Sequence, residues 1–232
     1  MKSESARLLK PFSLDEYQQL VSTSEVLEQD GHGLKVLKTP EGLIVKIFRR
    51  KKLVSSALIK SYATRFVENS RKLNSLGFNT VEIVDLYYCK PIKRVLVFYH
   101  PLPGETLRSL LHHKKHDDGV MELFIDLLAQ MHEKGVFFRS CHFNNIIVAN
   151  SMDRMGLIDI SDMKIQPQRL SYYQRKRNFK HMLRYKVDQE SIRQFGINRF
   201  MERYFRSSSL PESRKDQLRN SLNQLIVADG GI

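Results

Sequence analysis

Cysteine is nearly missing from this chain: in 232 residues there are only Cys89 and Cys141. Two cysteines without a histidine partner spacing exclude a disulfide framework and a zinc site of the finger type, and agree with a reducing compartment. Both are expected to be plain buried thiols. Long apolar runs are also missing, since no stretch approaches the roughly 20 residues needed to span a bilayer. That excludes an integral helical membrane protein. The opening MKSESARLLKPFSLDEY lacks the continuous apolar segment of a secretory signal, so a cytoplasmic location is expected. Internal repeats and low-complexity tracts are absent as well, which argues against solenoids and arrays.

What is present is an ordinary globular composition, 41% hydrophobic and 27% charged, long enough for one large domain or two lobes sharing a cleft. The charge is lopsided. Thirty-eight Lys and Arg against 25 Asp and Glu leave a formal net charge of +13. Basic residues cluster at Arg49 to Lys52 and again after Asp162. In that second run Lys164, Arg169, Arg175, Lys176, Arg177, Lys180, Arg184 and Lys186 occur with no acidic residue before Asp188. The plain reading is solvated helix faces. A segment this one-sided repels itself without a counter-charge, so a surface or cleft facing anions is the favoured expectation.

Hydrophobic periodicity divides the chain into a strand-rich first part and a helical second part. Ser13 and Glu16 have the spacing of a capping box and Phe12 and Tyr17 that of a hydrophobic staple, predicting a short helix from Leu14. EVLEQ, LKVLK and LIVKIF, separated by DGHG and TPEG, predict three antiparallel strands. A helix is expected between Ser55 and Leu76, stopped by Gly77. TVEIVDLYYC and RVLVFYH then predict two more strands joined at Lys90 to Lys93. From Leu107 the pattern is helical. Val120, Leu123, Phe124, Leu127, Leu128 and Met131 form one apolar stripe that ends near Gly135. Two short strands flank Asn150 to Gly156. Near the end, Ile197, Phe200, Met201, Tyr204 and Phe205 share a face expected to be core, and the stretch from Val227 to Ile232 is expected to fray.

The segment MHEKGVFFRSCHFNNIIV resembles the protein-kinase pattern of a helix ending in L-H-x-x-G, followed by H-R-D-x-x-x-x-N and an apolar strand. His132, Gly135 and Arg139 fall at the pattern's His, Gly and Arg. Asn145 falls at its magnesium-binding Asn, and LIDIS stands where D-F-G is expected, which makes Asp159 the main metal ligand. The resemblance implies an α+β, protein-kinase-like two-lobed fold as a single domain, with an N-lobe over 1–98, a hinge over 99–103 and a C-lobe over 104–232. It also implies ATP and Mg2+ as cofactors, because hard oxygen donors on two segments are needed to hold a metal that bridges triphosphate. Taken alone these positions have plainer readings: Asp159 as a turn former, Asn145 as a loop cap.

In the first lobe the same resemblance gives Lys46, inside the apolar strand LIVKIF, the role of the lysine that contacts the α and β phosphates; the plainer reading is an edge-strand lysine reaching solvent. Glu68, the sole acidic residue between Lys51 and Leu76, is its expected helix partner. Gly31 and Gly33 in DGHG stand where a phosphate-covering loop would be, although an ordinary hairpin turn fits them nearly as well. The backbone from Phe98 to His100 is expected to face an adenine, with Pro101 and Pro103 stiffening the linker.

FRSCHFNNIIV, LIDISD, LSYYQRKRNFKHMLRY and INRFMERYF together are similar to the bacterial lipopolysaccharide kinase group, which includes inner-core heptose kinases and toluene tolerance proteins. The similarity extends over most of the chain, from about Glu25 to Phe205. It implies ATP-dependent phosphorylation of a sugar hydroxyl in the lipopolysaccharide core or another anionic envelope glycan. Peripheral contact with the inner-membrane surface goes with it, and the positive charge suits both partners. A role as a nucleic-acid-binding protein would explain the charge but not the ordered spacings, so no specific nucleic acid is expected. One departure matters: Ser140 stands where the group's active kinases carry the catalytic aspartate. Asp162 and His142 are the residues nearby that could compensate, the first by orienting the acceptor hydroxyl and the second by contacting phosphate. A turn residue and a hydrogen-bonded loop histidine are the plainer readings of those two. The alternative to an enzyme is a pseudokinase, a nucleotide-binding or scaffolding protein of envelope biogenesis without transfer activity.

Overall fold

A computed structural model describes residues 9–49, 61–113 and 117–227. Arg50 to Lys52 of the first basic cluster, residues 55–60 of the helix expected between Ser55 and Leu76, and the last five residues lie outside them. The fold is mixed α+β, sheet-rich in its N-terminal part and helical in its C-terminal part. The chain divides into two compact units. The first is the chain up to Asn74 together with Thr80–Leu102; the second is Ser75–Asn79 together with the chain from Pro103 onward.

The first unit starts with β1 (Leu9–Phe12) and α1 (Leu14–Thr23), followed by β2 (Glu25–Asp30), β3 (Gly33–Lys38) and β4 (Ile44–Arg49). α1 begins where the capping box predicts: Ser13 Oγ accepts from Glu16 N at 3.1 Å, and Glu16 returns a carboxylate to Ser13 N at 2.6 Å. α2 (Tyr62–Ser75) comes next; after β5 (Asn79–Thr80), which straddles the boundary between the units, follow β6 (Glu82–Cys89) and β7 (Arg94–His100). Six strands pair in the order β1-β6-β7-β4-β3-β2. β1 was not foreseen; it is parallel to β6, with Leu9 opposite Leu86 and Phe12 opposite Cys89.

Alternation along β4 sorts the unit into two layers of packing. Val45 and Ile47 join Leu37, Cys89 and Leu96 in a core that Phe12, Tyr17, Leu20 and Val21 cover from the α1 side. On the opposite face Phe48 meets Phe66 of α2 at 5.8 Å, and Phe66 meets Tyr99 at 5.4 Å. Each side chain buried in this way stabilises the fold by about 1.5–3 kcal/mol before ordering costs.

The second unit contains β8 (Glu105–Thr106), α3 (Leu107–His113), α4 (Asp118–Glu133), β9 (Val136–Phe138), β10 (Ile146–Val148), β11 (Met155–Leu157), β12 (Met163–Ile165), α5 (Tyr172–Met182), α6 (Lys186–Phe195), α7 (Ile197–Arg206) and α8 (Glu212–Val227). α4 is capped by Asp117, whose carboxylate accepts from Gly119 N and Val120 N. Its buried stripe includes Met121, Ile125 and Ala129 as well as Val120, Phe124, Leu128 and Met131, whereas Leu123 and Leu127 are only half-buried. The expected stripe was therefore rotated by part of a turn. β10 and β11 form the expected hairpin around Asn150. β12 pairs with β9, placing Met163 opposite Phe138.

The core of this unit is aromatic. Phe124 of α4 meets Phe143 at 4.9 Å, and Phe179 of α5 meets Tyr204 of α7 at 5.2 Å. The face of α7 expected to be core is core, with Phe200, Met201, Tyr204 and Phe205 all buried. A buried polar network runs beneath it. Arg175 is fully buried, donating to Leu170 O at 2.9 Å, Tyr204 Oη at 3.0 Å, Ser208 Oγ at 3.0 Å and Glu133 Oε1 at 2.8 Å. It is thus a structural cation, and its inclusion in an anion-facing run was wrong for a physical reason: on α5 it points to the side opposite the exposed Lys176, Arg177 and Lys180.

Candidate functional site

The residues between Phe138 and Asp162 are assembled by three short pieces of backbone. β9 delivers Arg139 and Ser140, a single 3-10 turn over Phe143–Asn145 leads into β10, and a second over Ile160–Asp162 leads from β11 into β12. Phe143 anchors the first turn by inserting its ring into the aromatic core. A backbone hydrogen bond from Ile158 N to Asn145 O, at 3.0 Å, ties the two turns together and brings Asp159 beside Asn145.

Ser140 and Asp162 are partners. Ser140 Oγ donates to Asp162 Oδ2 at 2.7 Å, and Asp162 Oδ1 is buried without a hydrogen-bond partner among the described residues. Such an unsatisfied carboxylate oxygen is costly unless a ligand or water supplies a proton. The position expected to lack a carboxylate thus has one next to it, supplied by the 3-10 turn that precedes β12. The turn-forming role of Asp162 does not by itself explain this bond.

Asn145 is buried, and its Nδ2 donates to Ser140 O at 3.0 Å and faces His142 Nε2 at 3.3 Å. Among the described residues Oδ1 accepts no hydrogen bond, so it is available as a ligand to a cation. Asp159 is exposed and adopts φ 50° and ψ 46°, in the left-handed region. Asp tolerates that region better than most residues, and non-glycine residues held there concentrate at functional sites. A carboxylate and an amide oxygen are the hard donors magnesium takes, so the pair fits that metal, with phosphate or water completing the set. Among the described residues no group of three or more His, Cys, Asp and Glu side chains gathers to hold a metal by protein ligands alone.

His142 stands behind Asn145. Its ring meets Tyr185 edge-on at 5.0 Å, and its Nδ1 is buried without a partner among the described residues. Burial, followed by the charge of Arg108, holds its pKa below the usual histidine range. The geometry gives His142 contact with a candidate metal ligand, where the sequence suggested contact with phosphate.

Two functional supports escaped the sequence reading. Arg108 of α3 grips Asp188 of α6 with two hydrogen bonds, Nε to Oδ1 at 2.8 Å and Nη2 to Oδ2 at 2.9 Å. Asp188, fully buried, also accepts from Phe143 N at 3.1 Å and so fixes the turn that carries Asn145. Asn178 of α5 clamps β9, its Nδ2 donating to Phe138 O at 2.7 Å. His132, foreseen only as a motif position, is buried between Tyr204 Oη at 2.7 Å and Asn178 Oδ1 at 3.1 Å. Burial and then Arg175 push its pKa down to about 3. Burial likewise raises the Cys141 thiol to about 12, so it is inert as expected.

The remaining candidates lie in the first unit. Lys46 is on β4, an inner strand between β3 and β7, which overturns the edge-strand alternative. Its Nζ stands 5.6 Å from the ring of Phe66 on α2, the helix that also carries Glu68. Gly31 and Gly33 flank a tight β2–β3 turn in which Asp30 pairs with Gly33, and Gly33 has φ 109°. A Cβ at either glycine would meet nothing within 4 Å, so the surroundings of this turn are open. Phe98 and His100 are inside β7 rather than in a linker. Phe98 is held in the ladder between Val45 and Asp85, and its ring packs on Tyr87 at 5.3 Å. His100 lies opposite Glu82. Phe98 thus lies between two neighbouring strands, whereas His100, at the end of β7, is paired on the β6 side alone.

The scan against family models and the search of curated proteins both find no match. No helix among the described residues is long and apolar enough to cross a membrane.

Proposed function

We propose that this protein is an ATP- and magnesium-dependent phosphotransferase with a protein-kinase-like fold, and that Asp162 takes the part of the aspartate missing at Ser140. The observation that carries this reading is the 2.7 Å Ser140–Asp162 hydrogen bond, with the second carboxylate oxygen of Asp162 unpartnered. Ser140 is then a positioning residue: by donating to Oδ2 it fixes the carboxylate and leaves Oδ1 for the hydroxyl of an acceptor. Asp162 accepts the proton of that hydroxyl as its oxygen bonds to the γ-phosphorus and the bond from that phosphorus to the bridging oxygen breaks, releasing ADP; the base contributes about 10² to 10⁴ in rate. The ordered spacing of His132, Gly135, Asn145 and Asp159, and Lys46 on an inner strand, support the same reading.

Asn145 and Asp159 would hold the metal, which when bound neutralises charge on the transferring phosphate. The acceptor class rests on the resemblance to lipopolysaccharide kinases and on the net charge of +13: a hydroxyl of an anionic core sugar or related glycan, met at the inner face of the inner membrane.

The test is ATP binding by calorimetry with and without magnesium, followed by transfer of labelled γ-phosphate to isolated core lipopolysaccharide. Binding with transfer supports the enzyme. Binding without transfer to any anionic glycan favours the pseudokinase, and absence of binding refutes both.

A further inference from the structure

Several cationic side chains lie near Asp162, and the metal-holding role proposed for Asn145 and Asp159 leaves them without a task. Their placement follows from how α5 is fastened to β9. Asn178 holds Phe138 by both its backbone groups, donating to the carbonyl at 2.7 Å and accepting from the amide at 3.4 Å. Arg139 is the next residue after that anchor. β9 and β12 oppose Phe138 to Met163, so Arg139 and Asp162 each adjoin that pair, one on either strand's end. On α5, His181 brings its ring to 6.2 Å from Phe137, and Arg177 precedes it by four residues, one helical turn along the same face. Arg184 follows three residues later, its guanidinium 5.8 Å from the Tyr185 ring.

Arg139, Arg177 and Arg184 are all exposed, and His181 is half-buried. His181 Nε2 is itself buried and has no partner among the described residues. The imidazole is held below its usual range first by burial, then by Arg139, Arg177 and Arg184; Asp162 is the anion that acts the other way. Among the described residues three guanidinium groups and a single carboxylate, that of Asp162, thus act on this imidazole, and forked guanidinium donors favour tetrahedral phosphate oxygens.

We propose that Arg139, Arg177, His181 and Arg184 form an anion subsite beside Asp162 that binds a phosphate monoester on the acceptor. The acceptor part of this statement rests on the phosphotransferase reading; the anion site itself does not. Bound there, a phosphate orients the sugar so that a neighbouring hydroxyl meets Oδ1 of Asp162. The enzyme would then select acceptors that already carry a phosphate group, so a preceding phosphorylation must supply its substrate.

Inorganic phosphate is the probe, titrated into the full chain at constant ionic strength while histidine side-chain resonances are followed by NMR. Phosphate is expected to shift His181 and to raise its pKa, since a dianion stabilises imidazolium. The double variant R177Q/R184Q should weaken binding about tenfold or more. K176Q/K180Q, which removes the same charge from α5 outside the cluster, should change it less than twofold. No response of His181, or equal weakening in both double variants, overturns the subsite in favour of diffuse charge. A response to phosphatidylglycerol vesicles but not to soluble phosphate overturns it in favour of a membrane-facing surface. Failure of the phosphotransferase reading shows separately. A chain that binds phosphate at His181 but never binds ATP with magnesium keeps the subsite and loses the reaction, and one that transfers phosphate without a His181 response loses only the subsite.

Discussion

Replacing Arg108 with Met tests whether the site is held from behind by a buried ion pair. The substitution keeps much of the side-chain volume and removes both hydrogen bonds to the Asp188 carboxylate. Asp188 is fully buried, so its charge is left with a single donor among the described residues, Phe143 N at 3.1 Å. Breaking a buried pair from one side costs about 3–5 kcal/mol. Loss of the guanidinium stacked 4.5 Å from the Tyr185 ring adds about 0.5–1 kcal/mol. The reverse change, Asp188→Asn, is milder. Arg108 retains 20% side-chain exposure and can turn to water, and the Asn oxygen still accepts from Phe143 N, so the cost is about 1–3 kcal/mol. Urea unfolding followed by far-UV circular dichroism and by tyrosine fluorescence reads both values, two probes being needed because the two units need not unfold together. Arg108→Met should cost more than Asp188→Asn, and both should weaken binding of ATP with magnesium by loosening the turn that carries Asn145. A loss below about 1 kcal/mol for Arg108→Met, or the opposite order, would refute the claim that the pair fixes this turn.

Acid should destabilise the second unit through His132. With a folded pKa of about 3 against about 6.5 unfolded, only the unfolded chain takes up a proton between those values. The neutral ring's contribution is intact above pH 6.5 and is lost at about 1.4 kcal/mol per pH unit as pH falls toward 3, which denaturation midpoints at pH 7, 6 and 5 would register. Gly135→Ala should abolish folding or cost about 3 kcal/mol or more, since its Cβ would meet Gln166 O at 2.1 Å and Gln168 O at 2.4 Å at a φ of 74°; expression and thermal melting report it. Cys89 and Cys141 should both resist a thiol reagent until denaturant is added, because both are buried.

Local chemistry was legible in the sequence and long-range pairing was not. The Ser13–Glu16 capping box, the strand pattern and the β10–β11 hairpin depend on neighbours a few residues apart, and they formed as expected. The same logic would have found the second capping box, Ser171 with Gln174, which starts α5. β1 was missed because its parallel partner lies 77 residues away and LKPF contains a proline. The motif spacing pointed to Asn145 and Asp159, and to Asp162 as one of two substitutes. What it could not contain was the bond from Ser140, which depends on the β9–β12 pairing. Arg175 and Asp188 illustrate the limit from the other side. One was counted with surface cations and the other only as the end of a basic run, because burial of a charge is decided by partners 42 and 80 residues distant.

The central claim is that Asp162 acts as the base for phosphoryl transfer. Its most direct test is transfer of labelled γ-phosphate to core lipopolysaccharide by the full chain and by Asp162→Asn, with ATP affinity measured on the same samples. The account requires magnesium-dependent ATP binding in both and a turnover about 10² to 10⁴ lower in the variant. Equal turnover in the two proteins, or no ATP binding in either, would contradict it.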